Sequence, residues 1–265
     1  MNKSHLTRAA SLCLFATLVS LLPMASQGQD LGRTQDHLFA DGTSWPGRIF
    51  SVESSNALLH WQRPTSGSDR IVPRVQSLTF LQDGSLVFCS GLDRSVFLID
   101  SSGERELHHG GGLVRQVRTD TNGDLYWSGL ETPLDGNALP DGFVYRRLAA
   151  SGQVETVLTF SQELVHRDWW GAFDVRDGQV FVATLSSPSK IYQLENSIPK
   201  LITTLPISAK SFRFESPTDL MATDGTGRLY RFTDLSQPEN FQVITDGPFR
   251  FIDFARKPTS RHRQF

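Results

Sequence analysis

Four turn signals, each placed just before an apolar run, recur along this chain at a near-constant spacing. They are QDG-SLVF at Gly84, TNG-DLYW at Gly123, RDG-QVFV at Gly178 and SPT-DLMA at Thr218, separated by 39, 55 and 40 residues. A further step of 40 lands on Pro258, close to the last residue. Around each turn the same order of events repeats. An alternating run comes first (VQSLTF, VRQVRT, WGAFDV, SFRFES), followed by the turn and a second run. A third run (RSVFLID, GFVYRRL, SKIYQLE, GRLYRFT) and a fourth (RELHH, VETVL, KLITTL, FQVIT) complete the unit. Period-two alternation rich in Val, Phe and Tyr, bounded by Gly, Asn, Asp and Pro, predicts four antiparallel strands per unit. Four short strands every 40 residues or so describe a blade of an all-β propeller.

The two ends predict how the ring closes. HLFADG, GRIFSV and ALLHW supply second, third and fourth strands without a first, and FRFIDFA near the C-terminus is a first strand with nothing after it. Joined in one blade, they zip the ring shut and remove an open sheet edge. The expected count is five blades. A sixth requires an extra blade inside the 123–178 unit, whose surplus of about 15 residues is too short for one.

Residues 1–28 read as a secretory signal peptide: Lys3 and Arg8 form the basic start, Ala9–Leu22 is uncharged and mostly apolar, and Pro23 precedes small and polar residues. That apolar run falls short of the roughly 20 residues a membrane-spanning helix needs. Cys13 lacks the small residues that precede a lipid-attachment site. The expectation is a secreted or periplasmic protein with one propeller domain over 29–258 and a basic tail over 259–265. Beyond the signal Cys89 is the single cysteine, so the domain is expected to stand on its core without an internal disulfide. Leaving out Lys3 and Arg8 takes the formal charge from −2 to −4. Nothing in that balance points to nucleic acid, no later run is apolar enough for a transmembrane segment, and a monomer is expected.

DGFVYRRLAASGQVETVL following TDTNGDLYWSG resembles the blade pattern of the NHL, SMP-30/gluconolactonase and strictosidine-synthase-like propellers, and HLFADGTSWPGRIFSV is similar to an NHL repeat. The resemblance implies a propeller whose ligands sit at the mouth of the central channel. In the lactonase members it also implies a divalent cation held by Glu, Asn and Asp, one position being an Asn-Asp pair eight and seven residues before the turn Gly. Here Arg115 and Gln116 stand at that position, and Arg offers no acceptor. VPRVQS stands where a Gly-Glu-Gly-Pro-like segment belongs, and the PDG of 140–142 falls between second and third strands. The departures argue against the family's metal chemistry, so neither a metal nor a cofactor is expected.

In such a blade the fourth-to-first connection and the second-to-third loop share one face. Counting back from each turn gives Arg115, Lys210 and Arg250, with Arg74 just before Gln76 and Arg167 just before Trp170. Every blade thus brings one cation to the start of its innermost strand. One reading pairs each cation with a carboxylate of the same face (Asp41, Asp93, Glu131, Asp135, Asp141, Asp168 or Asp224), tying blades together. The other leaves a positive mouth that receives an anionic small molecule or a partner protein, through the focusing of a charged cleft and the fork geometry of Arg.

The segment LVHRDWWGAFDV adds His166, Asp168, Trp169 and Trp170 to this face. Alternation sends the two Trp to opposite sides, one to packing and one to the mouth, where Trp45 could join it as an interface anchor or stacking surface. His108 and His109 run into the GGG of 110–112, a spacing that matches no recognised metal pattern. The loop 129–142, rich in Pro, Gly and acids, is either a lid or a tolerated insertion. The leading expectation is a binding module. The alternatives are a lactonase-like metal-dependent hydrolase or lyase, using Asp41, Asp168, Asp224 and His166, and a structural subunit of an envelope complex with an exposed Trp.

Overall fold

The computed structural model describes residues 37–41, 47–53, 56–62, 75–91, 94–110, 112–131, 142–160, 172–195, 198–246 and 250–257. Among these residues, twenty strands build five four-stranded antiparallel sheets in a ring, the five-bladed propeller expected from the repeat. Blade 1 holds β1 (His37–Asp41), β2 (Arg48–Glu53) and β3 (Asn56–Gln62). Blade 2 holds β4 (Ser77–Phe80), β5 (Leu86–Ser90), β6 (Ser95–Asp100) and β7 (Gly103–His109). Blade 3 follows with β8 (Leu113–Thr119), β9 (Leu125–Leu130), β10 (Gly142–Arg147) and β11 (Val154–Phe160). Blade 4 is β12 (Ala172–Arg176), β13 (Gln179–Ala183), β14 (Ser189–Glu195) and β15 (Ile198–Leu205). Blade 5 is β16 (Ser211–Phe214), β17 (Leu220–Thr223), β18 (Arg228–Phe232) and β19 (Phe241–Asp246). The last strand, β20 (Asp253–Arg256), returns to blade 1. No helix among the described residues is long and apolar enough to cross a membrane.

The turns that carry the repeat do so through local chemistry. In blade 4 the two strands meet at Arg176↔Gln179, and Asp177 and Gly178 between them have φ of 49° and 74°. That pair of positive angles is the hairpin turn whose twist matches the strands, and it suits Asp-Gly. Blade 5 has no glycine at this point. There the Ser216 hydroxyl accepts the Asp219 N–H at 3.0 Å, and the Glu215 N–H donates to the Asp219 carbonyl at 2.9 Å.

The core is divided among the five seams between blades, because each sheet buries both faces. Alternate residues of one strand serve alternate neighbours. In β5, Val87 and Cys89 pack against blade 3, whereas Phe88 between them packs toward blade 1. In β9, Leu125 and Trp127 face blade 2, and Tyr126 faces blade 4. Burial pushes the Cys89 thiol well above the usual thiol range, so it packs as a small apolar side chain.

Ring closure follows the register His37↔Arg256, Leu38↔Ala255, Phe39↔Phe254 and Ala40↔Asp253. Phe251 and Phe254 fill the seam between blades 5 and 1, with the Phe251 ring 4.4 Å from that of Phe39. Losing one such buried ring costs about 3–5 kcal/mol, and losing all of β20 reopens the edge of β1. A chain ending at Arg250 is therefore expected to show no cooperative unfolding transition by circular dichroism, whereas one ending at Pro258 keeps it.

Candidate functional site

The innermost strands β4, β8, β12, β16 and β20 touch one another in circular order around the channel. Their alternation sends Leu78, Val117, Phe173, Phe212 and Phe254 outward into the seams. The residues that alternate with them are mostly polar or charged, Ser77, Arg118, Asp174, Ser211, Arg213 and Asp253 among them. Arg118, fully buried, reaches all four other blades. Its Nη1 donates to Asp253 Oδ2 and Ser77 Oγ at 3.0 Å each, and its Nη2 donates to Asp253 Oδ1 at 3.2 Å and Ser211 Oγ at 3.0 Å. Its Nε stands 3.6 Å from Asp174 Oδ1. The two parallel bonds to Asp253 are the fork geometry that a guanidinium, and not an ammonium, provides.

Asp253 is the acceptor centre of this layer. It also takes the Leu78 N–H at 3.1 Å and the hydroxyls of Ser77 and Ser211. Burial pushes its carboxyl up, but the Arg118 and Arg213 guanidiniums together with the two hydroxyls hold it below the usual carboxylate range. One step along the axis, Arg213 donates from Nε to the Phe254 carbonyl at 2.6 Å and from Nη2 to the Leu78 carbonyl. Burial and the neighbouring Arg118 charge lower its pKa to about 10, against the pull of Asp253, Asp174 and Glu215. Asp174 is raised, because its burial outweighs the attraction of Arg118 and Arg213. Two cations and two anions cancel, and the channel is closed by a neutral plug.

On the side of the fourth-to-first connections, Gln116 spans the channel. Its Oε1 accepts the Phe173 N–H at 2.7 Å, and its Nε2 donates to the Lys210 carbonyl at 3.0 Å. Arg115 is the exposed residue of a β-bulge, where the β8–β9 register shifts between Val114 and Gln116. Lys210 is half-buried beside β16, and Arg250 is exposed ahead of β20. None of the three has a carboxylate within ion-pair distance among the described residues. Of the carboxylates considered for them, the three that are described are engaged inside their own blades. Asp41 pairs with Arg48 at 2.7 Å, Glu131 accepts the Tyr145 hydroxyl at 3.3 Å, and Asp224 accepts the Tyr230 hydroxyl at 2.8 Å. Arg74, Arg167, His166, Asp168, Trp169 and Trp170 lie outside the described residues, as do Trp45, Asp93, Asp135, Asp141 and the span 132–141.

The paired histidines part ways. His108 lies against Trp127, ring centroids 4.8 Å apart, and near Tyr145. His109 meets Ser95 Oγ at 2.9 Å and Glu106 Oε1 at 3.2 Å through the same Nδ1. One nitrogen contacting both neighbours is not the relay in which a histidine links a nucleophile to a carboxylate through its two nitrogens. Among the described residues no three His, Cys, Asp or Glu side chains come together as metal ligands.

An open cavity lies on the opposite face, where first strands turn into second strands. It has a volume of about 490 Å³ and is walled by the ends of all five innermost strands, with Asp174 and Arg213 among its lining. Neither that cavity nor the axial quartet of Arg118, Asp174, Arg213 and Asp253 was expected from the sequence. The available signal was a charge within the apolar runs of four innermost strands, in VRQVRT, AFDVR, SFRF and DFAR.

No known protein family matches the sequence, and no curated protein does. Among solved structures, the chain is similar to a protein of unknown function from Bacteroides caccae, at 14% identity over 79% of this chain and 71% of that one, with a TM-score of 0.48. It is also similar to a protein provisionally described as a gluconolactonase, at 15% identity over 82% and 80%, with a TM-score of 0.48. A third is an oligogalacturonate lyase in complex with manganese, at 11% identity over 79% and 74%, with a TM-score of 0.42. The propeller assignment rests on this chain's own strand pairing, and its chemistry on its own side chains.

Burial, and then the charge of His109, depress the His108 pKa below its ordinary 6.5 against the opposing effect of Glu106. The unfolded chain therefore takes up this proton first as pH falls, and folded stability drops below pH 6.5. His108→Phe keeps a ring against Trp127 and is expected to flatten the loss of stability below pH 6.5 in urea unfolding.

Proposed function

We propose that this protein is a non-catalytic, exported binding propeller that holds an anionic ligand over the closed channel, on the face of the fourth-to-first connections. Arg115, Lys210 and Arg250 are assigned the binding role, with Arg74 and Arg167 completing one cation per blade. His166, Asp168, Trp169 and Trp170, in the blade 4 connection, are assigned to the margin of the same site. The observation that carries the reading is the lack of a carboxylate partner for Arg115, Lys210 and Arg250 among the described residues, at equivalent strand starts. Gln116 supports it by tying the Lys210 backbone to the residue beside Arg115. Cations gathered around a low-dielectric mouth focus potential there, and guanidiniums match carboxylate or phosphate oxygens in pairs. The axis below favours binding over metal-assisted hydrolysis. Its two carboxylates face Arg118 and Arg213, and a divalent cation placed there would meet two like charges.

Thermal unfolding in phosphate, citrate, calcium or zinc tests this assignment. Phosphate or citrate at about 100 times its dissociation constant is expected to raise the Tm by several degrees. Arg115→Ala and Arg250→Ala are each expected to remove most of that rise. A rise with calcium or zinc that EDTA reverses favours the hydrolase instead. An anion effect unchanged in both variants contradicts the rim.

A further inference from the structure

The cavity on the turn face is independent of that rim, and its floor has an unusual charge arrangement. Its edge carries two acid–base pairs that satisfy themselves: Arg256 with Glu215 at 3.2 Å and Arg176 with Asp177 at 3.5 Å. The floor groups are less complete. Arg213 uses Nε and Nη2 on backbone carbonyls, while its Nη1 donates to no described residue. Asp174 accepts the Phe214 N–H through Oδ2 at 2.7 Å, which sets it beside Arg213. Its Oδ1 lies 3.6 Å from Arg118 Nε, beyond hydrogen-bonding distance, and that buried N–H has no acceptor. One cation and one anion thus sit side by side at the bottom of an open cavity, each with capacity to spare.

We infer that this cavity is a second binding site, which takes a small zwitterion of the α-amino acid or dipeptide class, its carboxylate on Arg213 Nη1 and its ammonium on Asp174. A ligand with a single charge satisfies one floor group and leaves the other facing a like or absent partner. A neutral polyol satisfies neither charge. The shifts at the floor agree with this pairing. Asp174 is raised because burial outweighs its cations, and Arg213 is lowered by burial and by Arg118. Burial leads both shifts, so each charge has lost water, and a zwitterion supplies a partner of each sign without changing the neutrality of the plug. The volume of about 490 Å³ lies within the roughly 300–1,000 Å³ of small-molecule sites.

Calorimetric titration of the purified protein tests the inference, with glycine, glutamate, lysine and glycylglycine set against propionate, ethylamine and glycerol. At least one zwitterion is expected to bind with a sub-millimolar dissociation constant, and each single-charge or neutral analogue about tenfold or more weakly. Asp174→Asn and Arg213→Met are expected to lose that affinity. Because both residues belong to the plug, Thr121→Trp serves as a variant outside it: Thr121 is exposed on the cavity wall, and the indole is expected to block binding while the unfolding midpoint stays near that of the parent. Arg115→Ala is expected to bind the zwitterion normally, which separates this site from the anion rim. The inference is overturned by any of three results: glycerol or propionate binding as tightly as the zwitterions, no zwitterion binding at millimolar concentration, or unchanged binding in Thr121→Trp.

Discussion

One guanidinium, on Arg118, is the point where the five blades meet. Each seam between blades is apolar and local, and holds two neighbours together without reference to the rest of the ring. Arg118 is different in kind. From blade 3 it reaches Ser77, Asp174, Ser211 and Asp253, one residue from each of the other blades. A planar group with five donors suits this junction, because hydroxyls and carboxylates approach it from several directions in one plane. A buried ion pair is weak evidence for net stability, since desolvation opposes the attraction. Its stronger effect is on specificity: with Asp253 on the closing strand, the network is complete only when the ring has closed in the right register.

The same network shapes what the molecule can bind. A channel filled by two cations and two anions gives no passage along the axis, so a ligand of the channel is held at one end or the other. The ends differ in character. On the connection face, cations stand at the starts of the innermost strands without carboxylate partners among the described residues, which favours a purely anionic ligand. On the turn face, the floor presents one charge of each sign beneath an edge that is already paired. The two proposed sites share a wall, the plug itself, but no side chain.

The fold was legible in the sequence because its determinants are local. Turn residues such as Asp177 and Gly178 encode their own backbone angles, and alternation within five or six residues encodes each strand. Closure was legible from a missing first strand at one end and a surplus one at the other. The axial network was not legible in the same way. Arg118 and Asp253 are separated by 135 residues, and Ser77 and Asp253 by 176. A charge within the apolar run of a strand reads as solvent-facing until the strand is known to line a closed channel. The same ambiguity hid the turn-face cavity, since Asp174 and Arg213 look like ordinary surface residues in AFDVR and SFRF. His108 is the converse case: beside His109 it stands in no recognised metal pattern, and its ring is packing for Trp127.

A double-mutant cycle across the axis tests most directly whether Arg118 and Asp253 form the junction described. Urea unfolding is measured for Arg118→Leu, Asp253→Leu and the two combined. Each single change strands a buried charge and is predicted to cost about 3–5 kcal/mol, whereas the combined change leaves Asp174 and Arg213 still balanced and is predicted to cost less than the sum by about 2 kcal/mol or more. Single losses under about 1 kcal/mol, or losses that simply add in the combined variant, would show that the axis does not hold the ring.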